Sequence, residues 1–384
     1  MRGNREGTPK YQKILDHVKA GIASGEYAVG RRLPSESDFV RMFSASRVTV
    51  NRALRELQLS GIIDRRAGSG SYVRQNSPKG YTFGLVIPEL GTTEIFEPIC
   101  RGMAEAREAG HHALLWGRSV AGSALRDEDV ESACRQLTSK KVSGIFFAPL
   151  ELTPEKDAVN RKIAEMFERA GIPIVLLDRD LVSYPGRSRY DIVGIDNRRA
   201  GYSITQHLIA AGAKRLAFVG RRDSAPTVDA RIAGFREAIM DCGLQFRPEL
   251  IRRVDPTDSS NIERLVNEID PDGIVCANDF TAAHIMRALR ELRIAVPERI
   301  RMAGIDDVRY ASLLPVPLTT IRQPCADIGI AAVETMVQRL HHPDFPARDI
   351  TLDFRLIVRR SSGATDGSVE GTNSPALCDI PVAV

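Results

Sequence analysis

Apolar residues recur along this chain with two rhythms, and the rhythm changes once. Up to about residue 73 the spacing is helical. Tyr11, Ile14, Leu15, Val18 and Ile22 form one stripe that opens after Thr8-Pro9 and stops at Gly25. Phe39, Val40 and Phe43 form a second, behind Ser35 as N-cap, with Asp38 in the capping-box position. Val50, Ala53, Leu54 and Leu57 form a third, opened by Ser46. Ile62 to Arg66 and Ser71 to Val73 then flank Ala67-Gly68-Ser69-Gly70, which predicts a small hairpin. From Tyr81 onward, short apolar runs alternate with helical patterns. The runs lie at 82–87, 112–117, 144–149, 172–178, 191–196, 215–220, 251–254, 273–278 and 301–306. The helical patterns lie at 96–109, 126–139, 154–170, 198–211, 227–241, 260–269 and 280–292. Such alternation predicts parallel sheets covered on both faces. About nine strands are too many and too evenly split for one sheet, so two similar lobes are expected.

Charge follows the same division. Residues 1–80 hold fifteen Lys and Arg against seven Asp and Glu, a net charge of +8, and the rest of the chain is −4. The third helix carries Arg47, Thr49, Asn51, Arg52 and Arg55 on its non-apolar positions. Two short helices across a tight turn, the second basic at its start, make a helix-turn-helix, and the hairpin reads as its wing. A basic head on a mildly acidic body suits a nucleic-acid-binding module on a partner domain of another task.

The run LPSE (33–36), SRVTVNRAL (46–54), LQLSGIIDRRAGSGSYV (57–73) resembles the winged-helix domain of GntR-family transcriptional regulators. The resemblance covers about the first 75 residues. It implies DNA contacts from Ser35, Ser46, Arg47, Thr49, Asn51 and Arg52, and from Arg65, Arg66, Gly68, Ser69 and Gly70 of the wing. Asn51 stands where many family members carry Arg, which shifts the favoured base edge from guanine toward adenine.

In the body, VGIDNRRAGYSITQHLIAAGAKRLAFVG (193–220), RIAGFREAIMDCGL (231–244), CAND (276–279), VPERIRMAGIDD (296–307) and PLTTIRQP (317–324) follow one another. In this order they resemble the effector-binding domain of LacI/GalR-type regulators, which share the type I periplasmic-binding-protein fold. A LacI-type body on a GntR-type head resembles the arabinose-repressor branch. The implied layout is a winged helix-turn-helix (1–75), a linker (76–80), an α/β body of two Rossmann-like lobes joined by three crossovers (81–360) and a disordered tail (361–384). The join departs from LacI proteins, which carry a short DNA-contacting hinge helix there.

A sugar presents vicinal hydroxyls and an apolar ring face, so its pocket needs carboxylate or amide acceptors, fork-shaped donors and an aromatic wall. In open α/β sheets such groups sit beyond the carboxyl ends of strands. Asp178, Asn278 and Asp306 each end an apolar run, and Arg231 opens a helix. The resemblance gives these four the effector's hydroxyls, with Glu94, Phe96, Phe280 and Gln323 around them. The implied protein is a cytoplasmic homodimeric repressor of carbohydrate genes that reads a palindromic operator under a sugar-like effector. The alternative is a body that takes a purine or a protein corepressor.

The remaining chemistry narrows the field. Six cysteines at 100, 134, 242, 276, 325 and 378 include no close pair, and seven histidines show no ligand spacing. No metal, cofactor or disulfide is therefore expected. GSG at 68–70 precedes a strand, not a helix, and the chain lacks GxxxxGK[ST], GxSxG and HExxH, so no enzyme is expected. MRGNREGTPK lacks the apolar segment of a signal peptide, and no stretch is long and apolar enough to span a bilayer.

Overall fold

A computed structural model describes residues 9–28, 30–59, 62–66, 69–73, 81–87, 95–106, 113–116 and 127–363. The chain divides into two compact units, with the division near Tyr81–Thr82. The expected linker at 76–80 and the tail beyond 363 lie outside the described residues, as do Gly68 and Glu94.

The head contains α1 (Lys10–Ser24), α2 (Glu36–Phe43), α3 (Arg47–Leu59), β1 (Ile63–Arg66) and β2 (Gly70–Val73). Its apolar stripes meet in one core of Ile14, Leu15, Val18, Phe39, Val50, Ala53, Leu54 and Leu57, closed by Leu33, Ile63 and Val73. The α2 capping box forms as its spacing predicts. Ser35 Oγ accepts from the Asp38 N–H, and Asp38 accepts from the Ser35 N–H. β1 and β2 pair antiparallel. The pattern did not reveal a third edge segment. Gly30, Leu33 and Val73 N–H groups bond to the Val73, Ser71 and Arg31 carbonyls, and Arg32 bridges Tyr72, so residues 30–33 line the wing.

The body holds two six-stranded sheets. The first lobe contains β3 (Thr82–Val86), α4 (Phe96–Glu105), β4 (Ala113–Trp116), α5 (Asp127–Ser139), β5 (Gly144–Phe147), α6 (Lys156–Arg169), β6 (Ile174–Leu177) and β7 (Asp191–Ile195). The second contains α7 (Asn197–Ala210), β8 (Leu216–Gly220), α8 (Pro226–Asp241), β9 (Ile251–Arg253), α9 (Ser259–Ile269), β10 (Gly273–Cys276), α10 (Asp279–Glu291), β11 (Arg301–Asp306) and β12 (Thr319–Arg322). The chain then returns through α11 (Cys325–His341) and β13 (Asp349–Leu352) to the first sheet and leaves again as β14 (Arg355–Ile357). The orders are β13-β7-β6-β5-β3-β4 and β14-β12-β11-β10-β8-β9. The chain thus crosses between lobes three times: after β7, after β12 and between β13 and β14.

Three strands escaped the pattern. Thr319–Arg322 was expected as crossover chain but is a strand, and β13 and β14 are edge strands of half-exposed, mixed residues. The tail boundary also shifts. Ser361 and Ser362, assigned by composition to a disordered tail, are fully buried. Ser361 Oγ accepts from the Thr319 N–H at 2.8 Å and donates to the Met302 carbonyl at 2.7 Å. These serines serve as polar inserts at a sheet end, a role that composition does not distinguish from linker.

Candidate functional site

On the head, α3 presents its polar face outward. Val48, Asn51, Arg52, Arg55 and Glu56 line an open groove. Arg47 is exposed and has no partner among the described residues. Ser46 Oγ accepts from the Thr49 N–H and lies 2.8 Å from Thr49 Oγ1, so both hydroxyls hold the start of the helix. Other members of the expected DNA set also have intramolecular duties. Arg65 donates to Asn51 Oδ1 at 2.8 Å and pairs with Glu36. Arg52 lies over the Tyr11 ring, Arg66 lies over the Tyr72 ring, and Ser69 Oγ is 2.7 Å from the Tyr72 hydroxyl. Gly70 has φ +115°, which an L side chain adopts only under strain. Val48, an apolar side chain 80% exposed on this helix, was not singled out in the sequence.

In the body, the carboxyl ends of the strands gather the expected polar groups. Asp178 follows β6 with φ +68° and is buried. Arg231 sits one turn into α8, buried, and is aimed by three partners. Its Nε donates to Asn197 Oδ1 at 2.8 Å, its Nη1 to the Ala277 carbonyl at 2.6 Å, and its Nη2 lies 3.7 Å from Asp306 Oδ1. Glycines bring its helix close: a Cβ on Gly201 of α7 would lie 2.1 Å from the Arg231 carbonyl oxygen, and one on Gly234 1.9 Å from that of Arg198. Asp306 ends β11 at φ +123°, a strained value for a residue with a side chain. Its Oδ1 accepts from Gln323 Nε2 at 2.8 Å.

Other expected residues behave differently. Asn278 caps α10: its Oδ1 accepts from the Thr281 N–H at 2.9 Å and the Thr281 hydroxyl at 2.8 Å, so only its Nδ2 remains for a ligand. Phe96 is fully buried with Arg179 over its ring. Phe280 is half-buried, against the His284 ring and under Arg221.

Sequence reasoning missed Arg179, Glu151 and Asp279. Arg179 is buried between two carboxylates, its Nε 3.1 Å from Asp178 Oδ2 and its Nη1 2.5 Å from Glu151 Oε1. The signal was its place beside Asp178 at the strand end. Burial alone would lower its basicity, but Glu151 and Asp178 raise it, so it stays charged. For Glu151, burial pushes the carboxyl up, and Arg179, the Ala225 N–H and Arg231 together bring it below the ordinary glutamate value. Asp279 is fully buried, accepting from the Thr320 hydroxyl and the Val308 N–H. Burial and then the Asp306 charge push it up to about 8. Asp306 is pushed up to about 6 by burial, against the pull of Arg231 and Gln323.

Two buried acceptors here, Asp178 Oδ1 and Gln323 Oε1, have no hydrogen-bond partner among the described residues, and Arg179 Nη1 has none besides Glu151. Asp178 and Arg179 come from the first lobe, and Gln323 follows β12 of the second. Buried polar atoms are seldom left so, and two acceptors beside a donor match the edge of a polyhydroxylated molecule. Among the described residues there is no cluster of His, Cys, Asp and Glu suited to a metal, and no helix long and apolar enough to cross a membrane.

Residues 10–73 match the family model of bacterial regulatory proteins of the gntR family, and residues 205–362 match that of a periplasmic binding protein-like domain. Over 371 residues the chain is 28% identical to an arabinose metabolism transcriptional repressor of Geobacillus stearothermophilus, covering 92% of this chain and 98% of the relative. It is 27% identical over 353 residues to the HTH-type transcriptional regulator CelR of Thermobifida fusca, covering 89% and 95%. Among solved structures, a CelR–cellobiose complex matches with a TM-score of 0.62 at 25% identity, over 82% of this chain and 90% of that one. This chain is accordingly a transcriptional regulator in which a DNA-binding domain of the gntR family precedes a periplasmic-binding-protein-like domain.

Proposed function

We propose that this regulator is a repressor of carbohydrate-utilisation genes and that a sugar or sugar-like effector seats between the two lobes of its body. The observation that carries the reading is a pair of buried acceptors from the two lobes, Asp178 Oδ1 and Gln323 Oε1, that have no hydrogen-bond partner among the described residues and lie with the Arg179 guanidinium. Sugar hydroxyls donate to the two oxygens and accept from the guanidinium, while Arg231 and Asp306 extend the same polar floor. A ligand that touches both lobes favours the closed form, and it shifts the equilibrium only by its differential affinity for the two forms. Couplings of this kind are worth about 1–3 kcal/mol. The relatives named for arabinose and cellobiose agree with a saccharide.

The head's task in this reading is to hold phosphates with Arg47 and Arg66 and to read base edges with Thr49 and Asn51. Two heads on a homodimer read a palindromic operator, because one winged helix reaches few base pairs. The protein works in the cytoplasm, without cofactor and without catalysis. Thermal-shift titration with arabinose, ribose, cellobiose and a set of purines tests the effector, followed by operator binding with and without whatever binds. A sugar that raises the melting temperature and changes operator affinity supports the reading. Stabilisation by a purine alone would replace the sugar with a purine corepressor.

A further inference from the structure

Both buried guanidinium groups of the cleft are already answered by carboxylates of this chain. Arg231 spends its N–H groups on Asn197 and the Ala277 carbonyl and lies beside Asp306. Arg179 lies between Asp178 and Glu151. Glu151 does more than neutralise. It stands on the loop after β5 in the first lobe, and its second oxygen, Oε2, accepts from the Ala225 N–H at 3.0 Å. Ala225 is the N-cap of α8 in the second lobe and has no capping side chain of its own. A carboxylate supplied from the facing lobe meets that exposed N–H and the positive end of the helix. The neighbouring Leu152 N–H donates to the Asp223 carbonyl at 2.7 Å, a second bond between the same two loops.

We infer that Glu151 is a specificity-determining residue: by neutralising Arg179 and tying the two lobes together, it makes the cleft select an uncharged polyhydroxylated ligand over the same sugar carrying a carboxylate or phosphate. The inference rests on the sugar reading above. Among the described residues, Asp178, Glu151 and Asp306 answer Arg179 and Arg231, so an anionic ligand meets buried positive charge that is already spent. To pair with Arg179 it must displace Glu151. That strands a buried carboxylate and strips α8 of its cap, and an uncompensated buried charge is strongly unfavourable. A neutral hydroxyl makes no such demand, since it can donate to Asp178 Oδ1 or Gln323 Oε1 and leave the Arg179–Glu151 pair in place. Arg221, a further cation of the second lobe, lies over the Phe280 ring.

The test compares matched ligands on the full-length protein by isothermal titration calorimetry. Arabinose is set against arabinose 5-phosphate, and glucose against glucuronate and glucose 6-phosphate, for wild type and Glu151→Gln. The glutamine keeps an acceptor for the Ala225 N–H and removes the charge. Wild type is expected to favour the neutral member of a binding pair by about tenfold or more, and Glu151→Gln to shrink that ratio by about tenfold. An anionic sugar binding wild type as tightly as its neutral parent would overturn the filter and leave the sugar reading standing. A ratio unchanged in Glu151→Gln would overturn the role of Glu151. If no sugar of either charge binds wild type, the sugar reading falls and takes this inference with it. The wild-type ratio tests the filter even if Glu151→Gln does not fold, and Glu151→Asp, which keeps the charge, is then expected to keep that ratio.

Discussion

The head and the cleft use the same residue types in opposite ways. On α3 the cation Arg47 is exposed and has no partner among the described residues, and Arg52 and Arg55 are exposed beside it. In the cleft Arg179 and Arg231 are buried and enclosed by carboxylates, amides and carbonyls. Unspent surface charge suits a polyanion whose counterions it can displace, and the resulting affinity depends on salt. Spent, buried charge suits a small polar ligand recognised by geometry, and salt reaches it little. In the proposed reading, the contrast separates the site that supplies affinity for DNA from the site that carries the signal.

The comparison can be broken at its packing, its charges or its protonation. The largest effect is expected from Gly201→Ala, because the added methyl meets backbone, not a movable side chain, 2.1 Å from the Arg231 carbonyl oxygen. α7 and α8 must part, at a cost of about 3 kcal/mol or more. The body's melting temperature should fall by several degrees, while operator binding at low temperature is retained. A body as stable as wild type would show that the helix crossing does not set the position of Arg231.

Arg47→Ala comes next. Removing one phosphate contact should weaken operator binding about tenfold and lower the slope of log affinity against log salt by about one unit. Fluorescence anisotropy over a salt series reads both. An unchanged slope would take Arg47 out of the interface, and the same substitution should leave effector binding as it was.

The smallest effect is a matter of pH. Asp279 is pushed up to about 8 by burial and by Asp306, far above its value in the unfolded chain. The folded form therefore holds a proton that the unfolded form releases near pH 4. Stability from this group is complete below about pH 4 and declines as pH rises toward about 8. Asp306 shares the lower part of that window, up to about 6. Between pH 6 and 8, Asp279→Asn should lose part of the wild-type decline in melting temperature. Parallel curves for the two proteins would mean that Asp279 is ionised in the fold.

The two regions also differed in how far the sequence disclosed them. The head was legible because its devices are local. Ser35 caps α2 through Asp38, three residues on, and Ser46 caps α3 through Thr49, so spacing alone reveals both. The strand ends of the body were legible too, and they put Asp178, Asp306 and Arg231 at one place. Their partners were not. Asn197 and Ala277 stand 34 and 46 residues from Arg231, and Ala225 stands 74 from Glu151. Only the fold brings such groups together, so no local pattern marks Glu151, and Arg179 had only its place beside Asp178 to mark it. Asn278 shows the opposite failure: its place at a strand end suggested a ligand contact, but the same place is the N-cap of α10, and its carbonyl is committed there. Edge strands β13 and β14 were missed because half-exposed strands lack the apolar run that marks central ones.

The central claim is that ligand in the cleft controls the head without being part of it. It is tested most directly by anisotropy of labelled operator, with wild type and Arg231→Ala, titrated with the sugar that the thermal-shift panel selects. Truncating Arg231 leaves the Ala277 carbonyl and Asn197 without their donor and a ligand hydroxyl unmet, a loss of about 1–3 kcal/mol. The account predicts equal operator affinity for the two proteins without sugar and a shift on adding sugar in wild type alone. A shift in Arg231→Ala at the wild-type sugar concentration would contradict it.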